Sequence, residues 1–543
     1  MAAGNAWSMR RLLRQSGARP APASWIALLA LLVLFAWTGI RAIDFGHHWD
    51  EHQHIGRTAR YVSTGVLLQE DYNYPSLTVR LLAGALLPER LHGARQSAGP
   101  EHGLREVVTS HAFLLRARSM FVLLSSLVGL WSFLLVWLLC RSSVWAVLGA
   151  GMTLSSWEVA YPARWLAPDT VLMQFAILTQ LLALLTSRRE GILPVVAAGV
   201  AAALTCSAKW TGGIVLLSVL LAALFGPRSP ARGSRHPALA APTTRVLVAC
   251  IAFAAVVLFV TPTLYLEPAQ VVESLRKQVR IYGQAGHFGY DTSGFFDHLR
   301  LLLAYYVGSA PSPWPPGSLL LAALAVVGGL ALARARREAA VLLLVPVSLS
   351  LFMASQRVMI VRNVLLVLPI GAILAALGGR ALAQRLSGTS AARAAPLVPL
   401  VCLAIVAANA GWLHRASGTI RDHAQVDVLR ELVRYVDAHP GAVVNASVQL
   451  GGRLRSRYPE RSFAPCVPSE SSDALCAMLS TEAQGRDRKL WPANRIHYRL
   501  LPSGPYEVNW DYYPTWEGPE RIVMVRSADV LRTSLRDVVT RAW

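Results

Sequence analysis

Two adjacent carboxylates, Asp50 and Glu51, stand in the first polar stretch after the first long hydrophobic segment, within Phe45-Gly46-His47-His48-Trp49-Asp50-Glu51-His52-Gln53-His54. Carboxylates just past the end of a membrane helix are costly to keep without a use. Successive residues on a helix point about 100° apart, so this pair does not share one proton as a facing dyad would. The expected division is one carboxylate facing a cavity and the other acting as a helix-start partner. A cavity-facing carboxylate acts as a general base or orients a hydroxyl. Downstream come His54 and the run Asp71-Tyr72-Asn73-Tyr74-Pro75-Ser76-Leu77. Further polar groups then recur at intervals: Arg164 and Asp169, Lys209, Glu267 with His287 and Tyr290, and Arg357 with Arg362 and Asn363. For Lys209 or Arg357 alone, snorkelling to the membrane interface is the ordinary role. Arg362 and Asn363 lie inside an apolar stretch and are harder to dismiss. Carboxylates and cations on one membrane face suit a reaction in which a base or orienting carboxylate meets an anionic leaving group.

A series of hydrophobic segments must position these groups. Apolar stretches of about 18–20 residues, the length that crosses a bilayer, recur from Ser24 to Trp412. Hydropathy places about eleven spans, near 24–43, 112–140, 143–160, 168–186, 191–207, 211–226, 244–263, 317–334, 338–354, 358–378 and 396–413. Arg10, Arg11, Arg14 and Arg19 before Trp25–Ile40 imitate a signal peptide. No small-residue cleavage site follows, and the length suits a span, so the segment reads as a retained helix. With the N-terminus in the cytoplasm, alternate connections hold Arg141, Arg188-Arg189, Arg228 to Arg245, Arg334 to Arg337 and Arg380 to Arg393. All then fall on the cytoplasmic side, as the positive-inside rule requires. The loops 44–111 and 264–316 and everything after 414 are thereby exported. The first loop is longer than a connection needs. Its stretches 51–68 and 76–91, and 268–283 in the later loop, are amphipathic enough to lie along a membrane surface.

Residues 416–543 change character, with shorter hydrophobic runs and more Pro, Arg and Asp. Asp427–His439 has helical periodicity, and Ala442–Val448 and Arg521–Val525 read as strands. A membrane domain over 1–415 followed by a small exported α/β domain over 416–543 is therefore expected. Cys466 and Cys476 there either pair or stay free thiols; the other four cysteines read as small apolar residues.

The chain has 543 residues, is 54% hydrophobic with a mean hydropathy of +0.41, and carries 15% charged residues, where a soluble chain carries about a quarter. The net charge of +21 lies largely between spans, as topology signals and solvated surface, so no nucleic-acid partner is expected. The Arg-rich C-terminal part suits an anionic membrane surface.

The order of these motifs resembles a known family. The Asp-Glu of the first exported loop, the Tyr-Pro-x-Leu at 74–77, the Arg-x-x-x-x-Asp turn at 164–169, the Ser-x-Lys-Trp-Thr at 207–211 and the Arg-Asn…Leu-Pro of 362–369 resemble the polyprenyl-phosphate-sugar-dependent GT-C glycosyltransferases. The protein O-mannosyltransferases and the aminoarabinose transferases of lipid A are the nearest branches. There are departures. Tyr74-Pro75-Ser76-Leu77 replaces a His-Pro-Pro-Leu pattern, so a histidine role there is absent. Asn363 stands where a tyrosine is usual, and the Trp-Trp-Asp motif of oligosaccharyltransferases is missing. The resemblance implies an all-α polytopic fold of the GT-C type with about eleven transmembrane helices. It implies a monosaccharide donor carried on a polyprenyl phosphate and a glycolipid, polysaccharide or protein acceptor. Asp50 would be the base or orienting carboxylate, Glu51 its support, and Arg164, Lys209 and Arg362 the groups that receive the departing phosphate. His54, Tyr74, Asp169, Glu267, His287, Tyr290, Arg357 and Asn363 are the expected substrate-side residues. No cofactor is required. A divalent metal would have only Asp50, Glu51 and His287, without ligand spacing. The Ala-, Arg- and Leu-rich composition points to the plasma membrane of a bacterium. Two other readings compete. A transporter would show repeat symmetry and charges near span midpoints; here the polar clusters sit at span ends. A non-catalytic assembly subunit would tolerate loss of Asp50.

Overall fold

A computed structural model describes the protein over residues 20–44, 51–67, 72–89, 101–226, 241–285, 292–308, 310–424 and 428–440, with short stretches between 443 and 526. The described residues are built almost entirely of helices. The first four are α1 (Pro22–Ile40), α2 (Glu51–Thr64), α3 (Leu77–Gly84) and α4 (Glu101–Thr109). They are followed by α5 (His111–Cys140), α6 (Ser143–Ser155), α7 (Pro168–Arg188), α8 (Leu193–Ala208) and α9 (Leu216–Leu224). Next come α10 (Pro242–Val260), α11 (Pro268–Arg280), α12 (Phe295–Gly308), α13 (Pro315–Ala333), α14 (Arg336–Ala354), α15 (Leu368–Ser387), α16 (Leu397–Ala424) and α17 (Val428–Ala438). Proline punctuates the starts: α1, α7, α8, α10, α11, α13 and α15 each carry one in the first two positions. There its fixed φ is preorganised for the helix and its missing N–H costs nothing.

Among the described residues, eight helices are long and apolar enough to cross a membrane, and three shorter apolar helices, at 143–155, 193–208 and 210–224, accompany them. Every span expected from hydropathy has its helix, and the protein is a multi-pass membrane protein. Three of the expected spans are not continuous. The one expected over 143–160 stops at Ser155, because Ser156 turns extended, and resumes as single turns at Trp157–Ala160 and Pro162–Arg164. The one expected from 211 begins as a 3-10 turn, Trp210–Val215, and the one expected from 358 as another, Val361–Val367. All three breaks come at one end of the bundle. Irregular backbone at such depth is tolerated where protein encloses it, and most of these residues are buried.

Two apolar cores share α5 and α7. One gathers Phe35, Phe133, Trp145, Trp157 and Ile373. The other gathers Val62, Phe121, Val171, Val219, Leu302 and Val345. Glycines allow the tightest crossing: a Cβ on Gly328 would collide with the Leu374 carbonyl, and one on Gly378 with that of Leu324. The backbones of α13 and α15 thus approach as only small residues permit.

The end opposite the three breaks is an arginine face. Arg141 adopts φ 52° to close α5, its guanidinium over the Trp137 ring. Arg188 reaches the Leu138 carbonyl at 2.9 Å and Glu338 at 3.4 Å. Arg245 donates to the Thr186 carbonyl and Arg337 to that of Phe225. Beyond the helices, β1 (Val444–Ala446), β2 (Leu475–Leu479) and β3 (Ile522–Arg526) form a sheet in that order, β1 parallel to β2 and β2 antiparallel to β3. Helix α17 lays Leu432 and Val433 against Ala446 and Ala477. The outer strands fall where expected, whereas β2 was not expected. Buried Cys476 is disulfide-bonded; Cys466 lies outside the described residues.

Candidate functional site

The three broken spans converge at one end of the bundle, and each break carries a cation. Lys209 follows the end of α8 in extended conformation (φ −150°, ψ 136°), because the next residues tighten into a 3-10 turn. Gly212 makes that turn possible: a Cβ there would strike the Thr205 carbonyl and come within 2.5 Å of Leu172. The Lys209 ammonium meets Asp169 Oδ1 at 2.7 Å and Asn363 Oδ1 at 2.7 Å. It thereby joins the start of α7, the end of α8 and the Val361–Val367 turn. Two of its three N–H donors are used among the described residues. Asp169 is fully buried, and its second oxygen has no partner among the described residues. Arg362, 5% exposed, precedes Asn363 on the same turn.

Arg164 sits five residues before Asp169 and is fully buried. Its Nη2 donates to Ser417 Oγ at 2.6 Å and to the Thr38 carbonyl at 3.4 Å, while Nε and Nη1 have no partner among the described residues. Burial pulls this guanidinium down to about 10, partly countered by Tyr161, so it stays charged at neutral pH. A buried cation with two unpartnered nitrogens, and with no ion pair to a carboxylate among the described residues, favours an anion.

Glu51 is wholly enclosed. Arg118 grips it with two bonds, Nε to Oε1 at 2.9 Å and Nη2 to Oε2 at 2.5 Å, and donates through Nη1 to the Ile43 carbonyl at 2.5 Å. The Leu166 N–H adds a third bond to Oε1 at 3.0 Å. Arg118 therefore fastens both flanks of the segment that carries Asp50, and Glu51 ties it to the 164–169 turn. Such geometry supports a neighbour; with both oxygens engaged, Glu51 is not placed to ligate a metal. Among the described residues there is no group of three metal-binding side chains. Asp50, His287 and Tyr290 lie outside the described residues.

His54, fully buried on α2, meets Tyr74 with ring centroids 5.4 Å apart. The segment that carries Tyr74 is pinned beside Lys209, since Trp210 Nε1 donates to the Tyr72 carbonyl at 3.1 Å. Arg80 then holds it to α10 through the carbonyls of Val260 and Phe259, both at 2.8 Å. Glu267 lies at the start of α11, one oxygen enclosed. Arg357 is exposed and bonds the Gln284 carbonyl at 2.9 Å, closing the loop rather than entering the Lys209 cluster.

Sequence reasoning passed over three buried groups here. Arg118 is a charge within a long apolar helix, a signal in itself. Glu158, 1% exposed, accepts from Tyr305 Oη at 2.8 Å; it too was legible as a carboxylate in an apolar run. Buried His298 bonds the Gln356 carbonyl through Nδ1 at 2.8 Å, and burial lowers its pKa; nothing in its sequence setting marks it.

The sequence model of the dolichyl-phosphate-mannose-protein mannosyltransferase family matches residues 25–227. No curated protein matches the chain in sequence. Similar solved structures include ArnT from Cupriavidus metallidurans bound to undecaprenyl phosphate, 13% identical with a TM-score of 0.47, covering 86% of this chain and 94% of that one. Another is the oligosaccharyltransferase AglB from Archaeoglobus fulgidus in complex with an inhibitory peptide and a dolichol-phosphate, 11% identical with a TM-score of 0.48, covering 94% and 77%. The matched stretch holds the Glu51–Arg118 anchor, Arg164, Asp169 and Lys209. The resemblance read from the motifs agrees with this match: residues 25–227 are similar in sequence to the dolichyl-phosphate-mannose-protein mannosyltransferase family.

Proposed function

We propose that the protein transfers a monosaccharide from a polyprenyl phosphate to a hydroxyl acceptor at the end of the bundle where the three spans break. The acceptor oxygen attacks the anomeric carbon and inverts it. The bond from that carbon to the phosphate oxygen breaks, and the electron pair leaves with the polyprenyl phosphate. Asp50 takes the hydroxyl proton. Arg164, Lys209 and Arg362 compensate the phosphate, an effect worth more in an enclosed site than in water. One observation carries this reading. Arg164 is fully buried, its Nε and Nη1 have no partner among the described residues, and it stands five residues before the Asp169 that holds Lys209. The arginine face at the other end supports an exported location for the site, with the N-terminus in the cytoplasm of a bacterial cell. Glycolipid, polysaccharide and protein hydroxyls all remain acceptors for trial.

The test is transfer by purified protein in nanodiscs, supplied with polyprenyl-phosphate sugars and each acceptor class. Asp50→Asn is expected to lose roughly 10²–10⁴-fold in kcat with donor binding retained, whereas Arg164→Met raises the KM for donor. Full transfer by Asp50→Asn removes that residue from the mechanism. No transfer by the wild type from any donor removes the reading itself.

A further inference from the structure

Helix α11 lies at the same end as the site, and its surface is divided into three strips. Val271 is buried, and Ser274 and Gln278 bond Asn73 Oδ1 at 3.1 and 2.6 Å, so this strip faces the protein. Beside it stand Val272 and Val279, 44% and 68% exposed. At 3.6 residues per turn, Arg276 and Arg280 follow roughly 50° and 90° further round, and Lys277 about 150° round. All three bases are exposed, and none has an ion-pair partner among the described residues. Glu273 is the one acid on the helix. Soluble surface helices hide their apolar strip. This one displays it, directly after a membrane span whose last turns expose Phe259, and beside exposed Tyr265 and Leu266.

We propose that α11 is an interfacial helix that binds anionic phospholipid headgroups of the leaflet nearest the site. Val272 and Val279 enter the acyl boundary. Arg276 and Arg280 stand at headgroup level beside them, the arrangement in which long basic side chains snorkel. The occupant is identified by charge: three bases against one acid, next to an apolar strip, fit an anionic bilayer surface. The attachments give the contact a consequence. Asn73 adjoins Tyr74. The Tyr282 carbonyl just beyond α11 accepts from the N–H groups of Arg357 and Val358 at 2.8 and 3.2 Å, on the stretch that leads to Arg362 and Asn363. The headgroup contact therefore fixes how deep the site sits in the leaflet.

This proposal is independent of the transfer reaction and is tested without it. Full-length Val279→Cys and Lys277→Cys, each carrying a fluorophore, are placed in nanodiscs of phosphatidylcholine with phosphatidylglycerol. Quenching is measured with acrylamide and with doxyl-labelled lipids of either headgroup. The label at 279 is expected to be quenched by doxyl lipid and shielded from acrylamide, and the label at 277 the reverse. Doxyl-phosphatidylglycerol should quench position 279 about twofold more than doxyl-phosphatidylcholine at low salt. That ratio should fall to about one in high salt, which screens exposed charges, and in Arg276→Gln/Arg280→Gln. A label at 279 open to acrylamide and blind to doxyl lipid would mean the strip faces water or a soluble partner, and overturns the proposal. Equal quenching by the two headgroups overturns its anionic selectivity.

Discussion

At the scale of the residue, charge is placed in this protein with unequal degrees of compensation. The Glu51–Arg118 pair is fully enclosed and saturated on the carboxylate side. Lys209 is shared between one carboxylate and one amide. Arg164 has only neutral acceptors among the described residues. Under the proposed function, that series separates anchor from binding group. Removing one member of a buried pair strands the other, at a cost of about 3–5 kcal/mol. Glu51→Gln should therefore lower stability by roughly that amount in detergent unfolding. Glu51→Leu combined with Arg118→Met should be more stable than either single change, because no charge is then stranded. A Glu51→Gln protein that unfolds with the wild type would deny the pair its anchoring role. The sequence displayed these charges without showing how they pair. Asp50 and Glu51 are neighbours in the chain, yet the Glu51 partner is 67 residues away, and no spacing rule reaches that far.

At the scale of the element, hydropathy located every span but hid the breaks. A window average is insensitive to whether Trp210–Val215 is α or 3-10, since the residues are apolar either way. The break is local chemistry: Gly212 lets the turn close against α8, and Lys209 leaves the helix to reach Asp169 and Asn363. The adjacent Gly213 is different, its virtual Cβ meeting only Cys206 Sγ at 3.4 Å. Gly212→Ala should accordingly displace the turn and reduce transfer at least tenfold, a change of about 1.4 kcal/mol, while Gly213→Ala stays near wild type. Side-by-side rates for the two variants check this, and equal rates would mean that the turn does not set the Lys209 position. The same logic explains the missed strand β2. Its Cys and Met residues carry a weak strand signal, and pairing to β1 and β3 fixes it.

At the scale of the whole molecule, the two ends of the bundle are chemically opposed, and the direction in which they face decides the donor. Helix α7 runs from Pro168 beside the site to Arg188 on the arginine face. Its 21 residues span about 32 Å at 1.5 Å per residue, matching a hydrocarbon core of about 30 Å. Arginines from five connections gather at the far end, which the positive-inside rule assigns to the cytoplasm. In the proposed orientation the site end faces away from the nucleotide sugars of the cytoplasm, which is the reason a lipid-borne donor is proposed. Exposed Ser355, near the site, and exposed Glu190, on the arginine face, make suitable reporters. With a membrane-impermeant maleimide on intact cells, Ser355→Cys should label at once, and Glu190→Cys only after permeabilisation. The parent chain, in which Cys140, Cys206 and Cys402 are buried and Cys250 half-buried, provides the background. Reversed labelling would put Lys209 and Arg164 on the cytoplasmic side, where a nucleotide sugar could reach them. The polyprenyl-phosphate donor would then lose its physical reason, even if transfer itself were observed.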